Sequence, residues 1–155
     1  MNVAPKFSPD PIDTGLQRYT DFFATMTAQT LDRLDQLVTE DVHFRDPFSD
    51  TRGRETMKRI FAAMYEDCTD VAFVIDGTVR QGGEAFLKWT FRFRPRRLGG
   101  GEAWTAIGVT ELHFTADGLV CAHLDHWDAG AQFYGRLPLV GPMVRFVRNR
   151  LSHHA

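Results

Sequence analysis

Apolar positions recur mostly at helical spacing up to Cys68, with one alternating stretch, and mostly alternate from there to Asp128. Asp13 or Thr14 can cap a helix in which Leu16, Tyr19, Phe23 and Met26 form one stripe. Thr30 can cap a second helix carrying Leu31, Leu34, Leu37 and Val38. In VHFRDPF the period is that of a strand: Val42, Phe44 and Asp46 share one face, His43 and Arg45 the other, and Pro47 ends it. After a loop, SDTRG, a helix is predicted over 54–68, with Met57, Ile60, Phe61, Met64 and Cys68 on one side.

Past Cys68, Val71, Phe73 and Ile75 alternate in one strand. Leu87, Trp89, Phe91 and Phe93 alternate with Lys88, Thr90, Arg92 and Arg94 in the next, the pattern of an antiparallel strand with one buried face. Two more strands are predicted over 103–114 and 119–128, joined by a turn at Ala116-Asp117-Gly118. Gly99-Gly100-Gly101 lacks the Lys-Ser/Thr of a phosphate loop and reads as a hairpin turn. Pro138 and Gly141-Pro142 precede a short amphipathic helix over 143–151. Helices followed by a run of strands predict an α+β fold, one domain over 13–155 behind an extended, proline-broken arm over 1–12.

Composition narrows the classes. The 155 residues are 43% hydrophobic and 25% charged, enough for one globular domain with a core. A net charge of −2 argues against a nucleic-acid binder. Cys68 and Cys121 form no C-x-x-C pair and read as buried small side chains in a reducing compartment. No stretch approaches the about 18 apolar residues of a membrane span, and MNVAPKFSPDPI has no signal-peptide profile, so a cytoplasmic location is expected.

Charge is unevenly placed. All 20 acids lie at or before Asp128, whereas Arg136, Arg145, Arg148 and Arg150 follow it without an acid among them. A basic amphipathic helix can touch an anionic membrane or a partner. The plainer expectation is a helix that covers the sheet with its arginines solvated, and no membrane contact. His153 and His154 are too few ligands for a metal tract.

Two places carry candidate chemistry. Asp46 continues the apolar face of Val42 and Phe44, so the strand delivers a carboxylate to the edge of the interior, where desolvation would make it a usable base. Asp-Pro is also a turn initiator, and Asp46 can equally cap nearby backbone N–H groups. In HLDHWD, His123, Asp125 and Trp127 share one face and Leu124, His126 and Asp128 the other; both faces are mixed, so parity leaves the inward one open. One His–Asp pair is too few ligands for a metal site but suits acid/base work, since a carboxylate holds an imidazole in one tautomer. No cofactor is expected.

The order of LQRY, VHFRDPF, RGRETMKRIF, HFTADGLV and HW over about Asp13–Asp128 resembles the nuclear-transport-factor-2-like superfamily, in particular its SnoaL-like and ketosteroid-isomerase-like branch. The resemblance implies a cone-shaped, curved antiparallel sheet packed on three N-terminal helices, a pocket for a small hydrophobic molecule, and a homodimer. It places Asp46 where the isomerases hold their proton-transferring carboxylate and Tyr19 where they hold an oxyanion-stabilising tyrosine. It likens Trp127 to a pocket tryptophan and turns His123 and Asp125 inward. Thr110 stands where the isomerases have a neutral acid that donates to the oxyanion, a departure that argues against steroid isomerisation. The expected pocket is lined by Phe23, Phe44, Phe61, Trp89, Phe91, Thr110 and Trp127. The resemblance implies an isomerase, cyclase or dehydratase in which Asp46 removes a proton beside a carbonyl, Tyr19 steadies the oxyanion and His123, held by Asp125, shuttles the proton. The alternative is a non-catalytic ligand-binding or dimerisation module.

Overall fold

The structure, a computed structural model, describes residues 9–152. Residues 1–8 of the expected arm, and His153 and His154, lie outside them. Helix α1 spans Pro11–Thr25 and starts earlier than the sequence suggests. Asp10, not Asp13 or Thr14, is its cap: the carboxylate accepts from the Ile12 N–H at 2.8 Å, and Pro11 sits in the first turn, where no N–H is needed. Tyr19, Phe22 and Phe23 on this helix are buried.

The second helix is a 3-10 helix, Ala28–Gln36. Thr30 does not cap it. Its hydroxyl accepts from the Thr27 N–H at 2.9 Å and reaches back to the Thr27 carbonyl at 3.2 Å, so Thr27 holds the cap position. Val38, expected on this helix, opens strand β1, Val38–Arg45. There follow β2 (Asp50–Arg52), α2 (Arg54–Asp67), β3 (Cys68–Gln81), β4 (Glu84–Pro95), β5 (Trp104–Phe114) and β6 (Val120–Trp127). A 3-10 turn at Gly99–Gly101 links β4 to β5.

The strands form one open, curved sheet in the order β2-β1-β6-β5-β4-β3. All neighbours run antiparallel except β1 and β6, which are parallel. Strand β3 far exceeds the predicted 71–75. Only its middle, with Phe73 and Ile75 inward, alternates visibly; from Gly77 to Gln81 it is mostly exposed yet stays paired with β4 through the turn at Gly82-Gly83. Register shifts at Thr69/Ala72 and Ile75/Gly77 mark bulges, which bend the strand over the interior.

Helices α1 and α2 and the 3-10 helix pack on the inner face, with Phe22, Leu34, Val42, Met57, Leu87 and Leu112 almost fully buried between the layers. One backbone approach fixes how α1 sits. A Cβ on Gly15 would run into the Gly118 carbonyl, and one on Gly118, at φ +85°, into the Pro11 carbonyl. Helix start and β5–β6 turn therefore touch backbone to backbone, which glycine alone permits.

The C-terminal segment departs from expectation. A short helix α3 (Ala129–Gln132) and a 3-10 turn (Tyr134–Arg136) lead to α4, Gly141–Leu151. Instead of covering the sheet, α4 leans on α3 and the preceding turn, and most of its side chains are exposed.

Candidate functional site

The curved sheet and α2 enclose a cavity of about 750 Å³. Phe23 enters it from α1, Phe44 from β1 and Phe61 from α2; Trp89 and Phe91 of β4 and Trp127 of β6 complete an aromatic wall. Few polar residues line it: Thr110, His123 and Asp125 from the sheet, Asp46 and Ser49 from the turn after β1, Asp67 from the end of α2 and Arg97 from the β4–β5 connection. His123, Asp125 and Trp127 thus face inward, while His126 faces out and meets the Glu111 carboxylate, which is also bonded to His113. Among the described residues no group of three or more His, Cys, Asp or Glu could hold a metal ion.

Trp89, Thr110, Asp125, His123 and Tyr19 form a hydrogen-bonded chain whose direction follows from donor chemistry. The Trp89 indole can only donate, and does so to the Thr110 hydroxyl at 2.8 Å. Thr110 then spends its hydrogen on Asp125 Oδ1, 2.5 Å away. The Asp125 carboxylate accepts again from His123 Nε2 at 3.0 Å, so Nε2 carries the hydrogen. His123 Nδ1 is left as the acceptor for the Tyr19 hydroxyl at 2.8 Å. Burial, reinforced by the Asp125 charge, pushes the Tyr19 phenol well above its usual range and keeps it a donor.

Tyr19 is not in the cavity wall. It is fully buried behind His123, and its hydroxyl is committed to the ring nitrogen. Its place on α1, one turn before Phe23, sends it beneath the imidazole rather than beside a ligand. Phe23 and Phe44 stack on the His123 ring at 5.3 and 5.2 Å, with interplanar angles of 28° and 29°. The imidazole is therefore locked by apolar rings and by polar partners at both nitrogens.

Asp46 follows the last residue of β1 and lines the same cavity. It does both things its sequence position allows. Oδ1 accepts from the N–H groups of Phe48 and Ser49, at 2.8 and 2.6 Å, closing the turn after Pro47. Oδ2 accepts no hydrogen bond from the described residues. Desolvation raises the carboxyl above the usual 3.8; the two N–H bonds oppose it, and the Asp125 charge adds to it.

Several wall residues escape a periodicity search. Phe48 and Ser49 lie in the β1–β2 turn, where the aromatic directly after Pro47 is the sole cue. Phe133 arrives from the segment after α3, steered by Gln132, whose side-chain amide bonds both the N–H and the carbonyl of Ile107. Phe48, Trp127, Phe133 and Tyr134 stack edge to face at 5.2–6.1 Å. Arg97 and Leu98, from the β4–β5 connection, also reach the cavity.

Comparison with known proteins agrees with this architecture. A family model described as a SnoaL-like domain matches residues 19–123. No curated protein matches the chain in sequence. Among solved structures, the chain is similar to a candidate SnoaL-like polyketide cyclase from Jannaschia sp., with 14% identity, TM-score 0.69, and coverage of 83% of this chain and 94% of that one. An LEH-like epoxide hydrolase from M. tuberculosis is 16% identical with TM-score 0.62, covering 90% and 96%. A protein with a ketosteroid-isomerase-like fold from Catenulispora acidiphila, solved with trimethylamine, is 11% identical with TM-score 0.65, covering 79% and 91%. At these identities the likeness is one of fold. The span of the family match and the shared curved sheet together show that the chain belongs to the SnoaL-like domain family, within the nuclear-transport-factor-2-like superfamily.

Proposed function

We propose that the protein is a cofactor-independent acid/base enzyme, an isomerase, cyclase or dehydratase, acting on a small apolar carbonyl compound. The observation that carries this reading is Asp46, a residue of the apolar cavity wall: one oxygen fixes its orientation through two backbone N–H groups, while the other accepts no hydrogen bond from the described residues. A carboxylate held this way is oriented without being neutralised, and desolvation makes it more basic than a surface carboxylate. A cavity of about 750 Å³ is of the size that buries a small polycyclic or long apolar ligand.

The steps follow from the donors left over. Asp46 takes a proton from the carbon beside the carbonyl, forming an enolate. Tyr19 does not reach the ligand and Thr110 has already spent its hydrogen, so neither steadies the oxyanion. Trp127 and Ser49 line the cavity, and their indole N–H and hydroxyl, without a hydrogen-bond partner among the described residues, are the donors left for that role. Asp46 itself returns the proton to the neighbouring carbon of the enolate, while His123, bonded at both nitrogens to Tyr19 and Asp125, and Tyr19 behind it are positioning residues. The names polyketide cyclase and epoxide hydrolase among the similar folds support a hydrolytic or cyclising chemistry only as kin of fold.

A second reading has its own observation. Every polar group of the Trp89–Thr110–Asp125–His123–Tyr19 chain is satisfied within the protein, as in a binding module whose polar groups only orient a ligand. Solvent exchange separates the two. A panel of apolar ketones is first screened for quenching of tryptophan fluorescence, then incubated with the protein in D2O. The enzyme reading expects a bound ketone to take up deuterium beside its carbonyl faster than in buffer. Ketones that bind without accelerated exchange would establish the binding module.

A further inference from the structure

Helix α4 takes no part in the cavity, yet it is built for a surface. Along it Met143, Phe146 and Leu151 are 63%, 65% and 73% exposed, and Leu139 just before it is 92% exposed. Its attachments are slight: the Gly141 N–H bonds the Leu137 carbonyl, and Arg145 Nη1 bonds the Gly135 carbonyl. A groove of about 410 Å³ separates Met143, Val144 and Val147 from Asp128 and Gly130. The helix thus presents large apolar side chains that nothing in the described chain covers, a mark of an interaction surface.

Charge selects the occupant. Arg145, Arg148 and Arg150 lie on the same helix, no acid follows Asp128, and none of the three forms an ion pair among the described residues. A second copy laid symmetrically on this face would bring two sets of arginines together with no acid on either helix to answer them. An anionic lipid surface answers both features: apolar side chains sink to the acyl boundary, and the guanidinium groups reach the headgroups on their long stems. The neighbouring structure fits a lipid better than an acidic protein. The turn that carries α4 holds Tyr134, whose ring packs 5.5 Å from Phe133 in the cavity wall and 6.1 Å from Phe48. Docking there sets the aromatic rim of an apolar cavity beside the medium in which apolar ligands dissolve.

We propose that α4, together with Leu139, docks the protein on an anionic membrane surface. This goes beyond the catalytic reading and does not depend on Asp46. The test is flotation with vesicles of phosphatidylcholine alone and of phosphatidylcholine with phosphatidylglycerol, at low and high salt, beside sedimentation velocity of the free protein. Wild type is expected to float with the anionic vesicles at low salt only. Arg148→Gln with Arg150→Gln should weaken binding roughly 25-fold, about fivefold for each arginine. Phe146→Ser with Leu151→Ser should abolish it, both variants keeping the wild-type circular dichroism. No flotation, or equal flotation with neutral vesicles, would overturn the proposal. So would a dimer that the Phe146→Ser and Leu151→Ser pair splits, since the face would then belong to a second copy.

Discussion

An Asp46→Asn variant is expected to lose turnover of the carbonyl substrate by a factor on the order of 10²–10⁴, the usual contribution of a positioned general base. Its fold should survive, because an asparagine carbonyl can accept the same two hydrogen bonds from Phe48 and Ser49. Stability should move the other way from activity. The carboxyl is raised in the folded chain, so the folded state holds the proton more tightly than the unfolded one. The stability of the wild type then falls as pH rises from the ordinary 3.8 through the folded value, and the loss persists above it. Asparagine has no such penalty. Urea unfolding at neutral pH should show the variant at least as stable as wild type, with the difference vanishing in acid. A variant that keeps its turnover would remove Asp46 from the chemistry, and one much less stable at neutral pH would make its role the turn alone.

Removing His123 should damage the fold as heavily as removing a core aromatic. The ring is 2% exposed, stacked on Phe23 and Phe44, and bonded at both nitrogens. His123→Ala opens a hole among those rings and strands the buried Tyr19 hydroxyl, for an expected loss of about 3–5 kcal/mol. His123→Phe refills the volume without serving either polar partner and should cost about 1–3 kcal/mol, the penalty of the unpaired groups alone. Urea midpoints of the two variants separate packing from hydrogen bonding. Equal losses would mean that the polar chain contributes nothing beyond space filling.

How much of this was legible beforehand depends on what each residue's signal was. Asp46 could be placed because a short strand has a rigid period of two, and Val42 and Phe44 declare which face is apolar. His123 and Asp125 could not be oriented by period, since β6 is mixed on both faces; only the resemblance turned them inward. Tyr19 was placed on the right helix but not at the right depth: a stripe says that a side chain is buried, not whether it ends at a cavity wall or beneath another ring. Phe48 and Phe133 sit in irregular segments, where no period exists to be read. The bulges in β3 that bend the sheet are register shifts against β4, a relation between two strands that neither strand's own pattern contains. Helix α4 shows the same limit, for its amphipathic pattern is plain while the exposure of its apolar side chains among the described residues is a tertiary fact.

The central claim is that an apolar cavity holds Asp46 as a desolvated, oriented base. The most direct measurement is a pH titration of the Asp46 side-chain carboxyl carbon by NMR, on the free protein and with a ketone bound. Asp46 should titrate above 3.8 in the free protein, and higher still once an apolar ligand covers the carboxyl and desolvates it further. A carboxyl that titrates at or below 3.8, unmoved by the ligand, would contradict the account and leave Asp46 as a turn cap.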